Sequence, residues 1–199
     1  INTSNINIWF QRLSFVGELG WEIYIPIKKT NNIFKKIKRL GKKYKLTFSG
    51  MHALDTLRLE KKFLHWGHDI TSENNPFEAG LAFATNLKKD INFIGKEALT
   101  TIKSKPLNKR LELFSLKNNF KPGEPLILHD EPIYDKDKLV GYTTSSNYSF
   151  CYNKNICLGY ISGDIENHNN LYVEIEGKKY SLLRENSPIH DPESKLLRA

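Results

Sequence analysis

Hydrophobic periodicity divides this chain into two unlike stretches. Over residues 8–15, Ile8, Phe10 and Arg12 alternate with Trp9, Gln11 and Leu13, the two-residue period of a strand. Residues 21–27 read as a second strand, ended by Pro26 and the Lys28–Lys29 pair. Between them, Val16-Gly17-Glu18-Leu19-Gly20 carries the glycines of a hairpin-like connection. Residues 30–44 keep helical spacing through Ile33, Phe34, Ile37, Leu40 and Tyr44, with Thr30 or Asn31 placed to cap the helix. A further helix starts at Met51 and runs into a tight turn, rich in aromatics and histidine, that ends at Ile70. On a wheel of about 100° per residue, Met51, Leu54 and Leu57 share one arc, and Arg58 lies inside it. A guanidinium in an apolar stripe cannot shed its charge, so it needs an anion, a dipole or a ligand beside it. The plainer reading is a stem that packs while its head reaches the rim. Asn75-Pro76-Phe77-Glu78 then breaks the chain. Residues 80–87 read as a buried strand, and residues 93–99 open a short helix with Ile94, Ala98 and Ile102 on one face.

From about residue 103 the helical period gives out. Lys103-Ser104-Lys105-Pro106 reads as a linker. Short runs follow at residues 110–116, 125–129, 139–145, 156–161, 171–175 and 179–183, separated by Pro122-Gly123, Gly163-Asp164 and Gly177. Six short strands with such turn signals predict a small antiparallel barrel or sandwich. The expected organisation is an α+β domain over residues 1–103 and a β-barrel domain over residues 104–199. Residues 1–7 are polar and expected to fray.

A hydrophobic content of 39% with 12% aromatics fits a globular fold. No apolar run approaches the roughly 18 residues of a membrane span, and no secretory signal opens the chain, so a cytoplasmic protein without a membrane partner is expected. Opening on Ile1 suggests a fragment or a processed piece. The net charge of +8 raises nucleic acid as a partner, but 24 of the 30 basic residues are lysines spread along the whole chain. Abundant Lys, Asn and Ile fit an A+T-rich coding bias, and the basic run over residues 35–45 fits a solvated helix face. No nucleic-acid partner is expected. Cys151 and Cys157, without a CxxC or a paired histidine, fit reduced thiols in strands rather than a metal site.

Four motifs change the picture. FVGELGWEIYIP, GMHALDTLRLEKKFLHWGHDI, NPFEAGLAFATNL and FIGKEAL, in this order and at this spacing, resemble the aminomethyltransferase family, that of the glycine cleavage T-protein. They are more similar still to the folate-binding C-terminal regions of dimethylglycine and sarcosine dehydrogenases. The likeness is strong over residues 8–103 and weaker through VGYTTSSNYSFCYNKNICLGYI. It implies the C-terminal half of a folate-binding α+β domain followed by a small antiparallel barrel. It also implies tetrahydrofolate as cofactor, and one-carbon (aminomethyl or methylene) transfer from a methylated-amine-derived donor in glycine, sarcosine or dimethylglycine breakdown.

Carried across residue by residue, Glu18 matches the carboxylate that holds the pterin. Such a carboxylate can accept from an amino group and a ring N–H side by side. Arg58 matches the arginine of the RLE motif, expected to face the turn at residues 16–20 and to bind folate or order Glu18. Trp66 and Phe15 could wall the flat ring, against a plainer packing role. His68 resembles the dehydrogenase branch and is a candidate proton relay, against a turn histidine bonded to backbone. Asp69 closes the turn in the plain reading, and Asp55 forms an i,i+3 ion pair with Arg58. The family's catalytic aspartate belongs to an N-terminal part not represented here, so no catalytic residue is assigned, and no metal ligand. No GxGxxG fingerprint offers a flavin site. The reading is a folate-holding portion that needs a missing N-terminal half, with exposed surface favouring homo-oligomers. The alternative is a non-catalytic folate-fold module or a subunit with a separate partner half. The family's iron–sulfur maintenance branch is disfavoured because Lys62-Phe63-Leu64-His65-Trp66-Gly67-His68 lacks its cysteine. An S-methyl-transferring demethylase of the same fold stays open.

Overall fold

The computed structural model describes residues 7–118, 126–163 and 165–199. The polar start (save Asn7), the Pro122-Gly123 turn and Pro125 lie outside these. Strands β1 (Trp9–Gln11) and β2 (Glu22–Tyr24) pair antiparallel, with Phe10 opposite Ile23. Both are shorter than their periodicity suggested, because the connection between them is a ten-residue loop turning at Gly17, at φ +80°. Helix α1 (Thr30–Gly41) continues through a 3-10 turn to Tyr44 and stops where Lys45 takes φ +58°. Helix α2 (Met51–Glu60) leads into the turn, and α3 (Lys96–Lys103) closes the α+β region.

Two expectations fail here. Residues 80–87 form no strand: Gly80 sits at φ +72° and Ala82–Ala84 make a single 3-10 turn with Phe83 exposed. The Asn75 side chain accepts from the amides of Phe77 and Glu78 (3.0 Å each), which commits this stretch to turning. Helix α3 begins only after Gly95, at φ +89°, and leaves Ile94 fully exposed.

The rest is a closed six-stranded barrel. Its strands are β3 (Lys109–Leu116), β4 (Pro132–Asp135), β5 (Lys138–Ser149), β6 (Lys154–Ser162), β7 (Leu171–Ile175) and β8 (Lys178–Glu185). The order is β3-β6-β5-β4-β7-β8, all antiparallel, with β8 returning to β3. Phe114, Ile133, Cys157, Ile161 and Val173 fill the interior. Six strands were expected, but one is displaced. Residues 126–129 make no strand and β4 takes that place. Hydroxyls of β5 hold this stretch instead: Thr143 donates to the Leu128 carbonyl (2.6 Å) and Ser146 to that of Ile127. Asp130, at φ +61°, then turns the chain into Pro132. A proline opens a strand without breaking its ladder.

Leu59 of α2 packs with Leu111, Leu113, Ile156, Leu158 and Tyr160, which joins the helix to the β3–β6 pair. The α+β region is otherwise thinly covered. Of α1 only Ile33 is buried, while Trp9, Trp21, Ile27, Tyr44, Met51 and Phe83 are all exposed. Among the described residues no helix is long and apolar enough to cross a membrane.

Both cysteines are free, but only Cys157 lies in a strand; Cys151 is exposed in the β5–β6 turn. Burial pushes the Cys157 thiol up to about 12. Native protein at pH 8 is therefore expected to react at one thiol with a disulfide reagent, and at two only after denaturation. Two rapid equivalents without denaturant would contradict this packing.

Candidate functional site

The end of α2 is buried on nearly every side, and by polar residues as well as apolar ones. Thr56, Arg58, Leu59, Glu60 and Lys61 are buried, whereas Met51 is exposed and Leu54 and Leu57 are half-buried. The arc picked out by periodicity is thus not the best-buried face. Glu60 survives there because Ser149 donates to its carboxylate at 2.5 Å.

Arg58 sits at the centre of this buried end. Its guanidinium donates to Asp69 Oδ2 at 2.5 Å, to the Phe63 carbonyl at 3.2 Å and to Ser145 Oγ at 2.8 Å. Its Nε lies 3.5 Å from Asp55 Oδ1, the i,i+3 pair read from spacing. Asp69, also buried, accepts further from the His65 amide (2.8 Å) and the Thr144 hydroxyl (2.6 Å). Arg58 and Asp69 together clamp helix, turn and β5. Contrary to the expectation that Arg58 faces the turn at residues 16–20, its donors go to Phe63, Asp69 and Ser145. The hydroxyls of Thr144 and Ser145 draw the pair toward the barrel.

The cation that does stand beside that turn is Lys61. A Cβ built on Gly17 would come within 3.2 Å of the Lys61 side chain. The Lys61 ammonium donates to the Asp191 carbonyl and lies 3.2 Å from the Asp191 carboxylate. Burial opposes ionisation of Asp191, but the Lys195 amide and Lys61 together hold its carboxyl below the ordinary range. Asp191 also accepts from the amides of Lys195 and Leu196, which starts the short helix α4 (Lys195–Arg198).

Glu18 is half-exposed, and its Oε1 accepts from His190 Nε2 at 2.7 Å. The other ring nitrogen of His190 meets the Tyr152 hydroxyl at 3.0 Å, and the His190 amide donates to the Glu60 carbonyl at 3.1 Å. Burial first, then the charges of Glu60, Cys151, Asp191 and Glu18, pushes the Tyr152 hydroxyl up. His190, Asp191 and Tyr152 escaped the reading of the sequence. The tail carries no period, and only the HDPE cluster of polar residues marked it.

The other expected residues fall into three places. Phe15 stacks on Phe63 (centroids 6.2 Å, planes 13° apart) and lines a groove of about 550 Å³ with Ser14, Lys61, Leu64 and Leu81. Arg58 and His68 line a separate cleft of about 220 Å³ with Asp55, His65, His129 and Ser146. There the His68 ring stacks on His65 at 4.6 Å, while its amide donates to the His65 carbonyl. Trp66 stands exposed, tied by its backbone to Ile70.

Comparison with known proteins matches two family domains to this chain. Residues 1–89 match the GCVT N-terminal domain, and residues 109–191 the glycine cleavage T-protein C-terminal barrel domain. The chain is 36% identical over 180 residues to mitochondrial dimethylglycine dehydrogenase of Mus musculus, which covers 90% of this chain and 20% of that protein. It is 37% identical over 150 residues to mitochondrial sarcosine dehydrogenase of Homo sapiens, covering 75% of this chain and 16% of that protein. It is 34% identical over 157 residues to aminomethyltransferase of Halothermothrix orenii, covering 79% of this chain and 42% of that protein. The chain thus spans about a fifth of the length of the dimethylglycine dehydrogenases it matches. A crystal structure of glycine cleavage system aminomethyltransferase T from Bartonella henselae shares the fold, with a TM-score of 0.78 at 23% identity, over 93% of this chain and 50% of that one. With one profile on the α+β region, the other on the barrel and the same fold in a solved relative, this chain belongs to the aminomethyltransferase (glycine cleavage T-protein) family.

Proposed function

We propose that this chain is the tetrahydrofolate-binding portion of a one-carbon transfer enzyme acting in glycine, sarcosine or dimethylglycine breakdown. In this reading residues 1–103 are the partial folate domain and residues 104–199 its barrel. Glu18 carries the argument. It is a half-exposed carboxylate on a turn, held through one oxygen by His190, and no hydrogen bond from the described residues reaches Oε2. That oxygen and the open lone pair of Oε1 can accept the two adjacent N–H donors of a pterin edge. Phe15, half-buried against Phe63, and Trp66, exposed after α2, are aromatic side chains that could wall a flat ring. Arg58 supports the site from behind by fixing the turn that carries Trp66. Tetrahydrofolate would supply the acceptor for the one-carbon unit, and the part of these residues would be to bind and orient it.

Transfer also requires the N-terminal part of the fold. The uncovered apolar side chains of β1, β2, α1 and α2, together with the half-length match to the solved relative, favour a missing wall over a complete pocket. The same observation supports the second reading, a subunit working with a separate partner half. A transfer assay with this chain alone, and with an N-terminal half of the family supplied in trans, tests both. No turnover alone and turnover on complementation is expected. Robust turnover by the isolated chain would overturn the half-enzyme reading.

A further inference from the structure

The strongest feature outside the expected site is the contact between the C-terminal tail and the turn bearing Glu18. His190 reaches Glu18 across 172 positions of sequence. We propose that His190 is a positioning residue: its ring, held by Tyr152, aims the Glu18 carboxylate at the pterin, so that the barrel's tail forms part of the folate site. The inference rests on the reading of Glu18 as the pterin carboxylate.

Three observations carry it. First, the geometry is a line of hydrogen bonds. With Nε2–H donated to Glu18, a neutral imidazole accepts the Tyr152 proton at Nδ1, so both ring nitrogens are satisfied and the plane is fixed. Second, the ring is not needed to dock the tail. The His190 amide bonds the Glu60 carbonyl, Lys61 holds Asp191 through both its carbonyl and its carboxylate, and Arg12 donates to the Ala199 carbonyl at 2.7 Å. These contacts anchor the segment through the backbone of His190 and through the residues that follow it. Third, a pair with one half-exposed member adds little to stability by itself. Its value lies in direction: a free glutamate on a turn samples several rotamers, and fixing one before binding removes that cost.

The test compares His190→Ala, His190→Gln and Glu18→Gln, following tetrahydrofolate binding by NMR titration at high protein concentration. Glutamine places its amide nitrogen near the Nε2 position, so it keeps the donor and loses the ring. His190→Ala is expected to weaken binding on the order of tenfold, with melting temperature nearly unchanged, and His190→Gln to restore most of the loss. In the free protein, Glu18→Gln is expected to shift the His190 Nε2 resonance, a readout independent of folate. Binding unchanged in His190→Ala, or no rescue by His190→Gln, overturns the positioning role while leaving Glu18 in place. Binding unchanged in Glu18→Gln overturns the reading of Glu18, and this inference with it.

Discussion

Replacing Arg58 by methionine is expected to remove about 3–5 kcal/mol of folding stability, the loss seen when one partner of a buried ion pair is deleted. Arg58 is 4% exposed and Asp69 1%. Methionine fills the volume of the stem and supplies no donor, so the Asp69 carboxylate keeps only the Thr144 hydroxyl and the His65 amide. It must then protonate or draw in water. The Phe63 carbonyl and Ser145 hydroxyl lose a donor at the same time. Lysine is not a remedy, because a single ammonium cannot reach three acceptors on different elements. Urea denaturation should show a lower midpoint in both variants, and Arg58→Met/Asp69→Leu should recover part of the loss. A midpoint unchanged in Arg58→Met would return Arg58 to the role of a direct ligand.

The second large effect falls in the barrel. At Gly141 of β5 a Cβ would lie 2.0 Å from the Tyr160 carbonyl oxygen of the paired strand. Backbone on a closed sheet cannot step aside without breaking its own ladder, so Gly141→Ala is expected to cost about 3 kcal/mol. Gly50 is the control: a Cβ there meets nothing within 4 Å, and the residue sits at φ −94°. Gly50→Ala should be nearly neutral. Equal midpoints for the two variants would mean that β5 and β6 are not packed as described.

Five of the six barrel strands could be read from the chain because their alternation is strong and their ends carry Gly or charged turns. The sixth could not: Pro132 and Asp135 look like turn residues, whereas residues 125–129 look apolar enough for a strand. What decides between them is the pair of hydroxyls on β5, an interaction across more than ten residues that no local pattern contains. The run at residues 80–87 misleads for the converse reason, since apolar residues do not make a strand without a partner to pair with. The site shows the same limit. The turn bearing Glu18 and the aromatic turn after α2 are local and could be read. Asp69 and Ser145, two of the partners of Arg58, lie 11 and 87 residues away, and His190 lies 172 residues from Glu18. Ser145 and His190 reach the site only through the tertiary packing of the barrel and the tail against α2.

The central claim, that Glu18 holds a folate, is tested most directly by titrating the chain with tetrahydrofolate in a calorimeter, beside Glu18→Gln. Glutamine keeps the shape of the side chain and removes the anion that both pterin donors would share. Weak, saturable binding is expected for the unsubstituted chain, on the proposed reading that a further part of the fold walls the pocket. In Glu18→Gln, with the same melting temperature, affinity is expected to fall by about tenfold or more. Binding of equal strength in the two proteins would contradict the account.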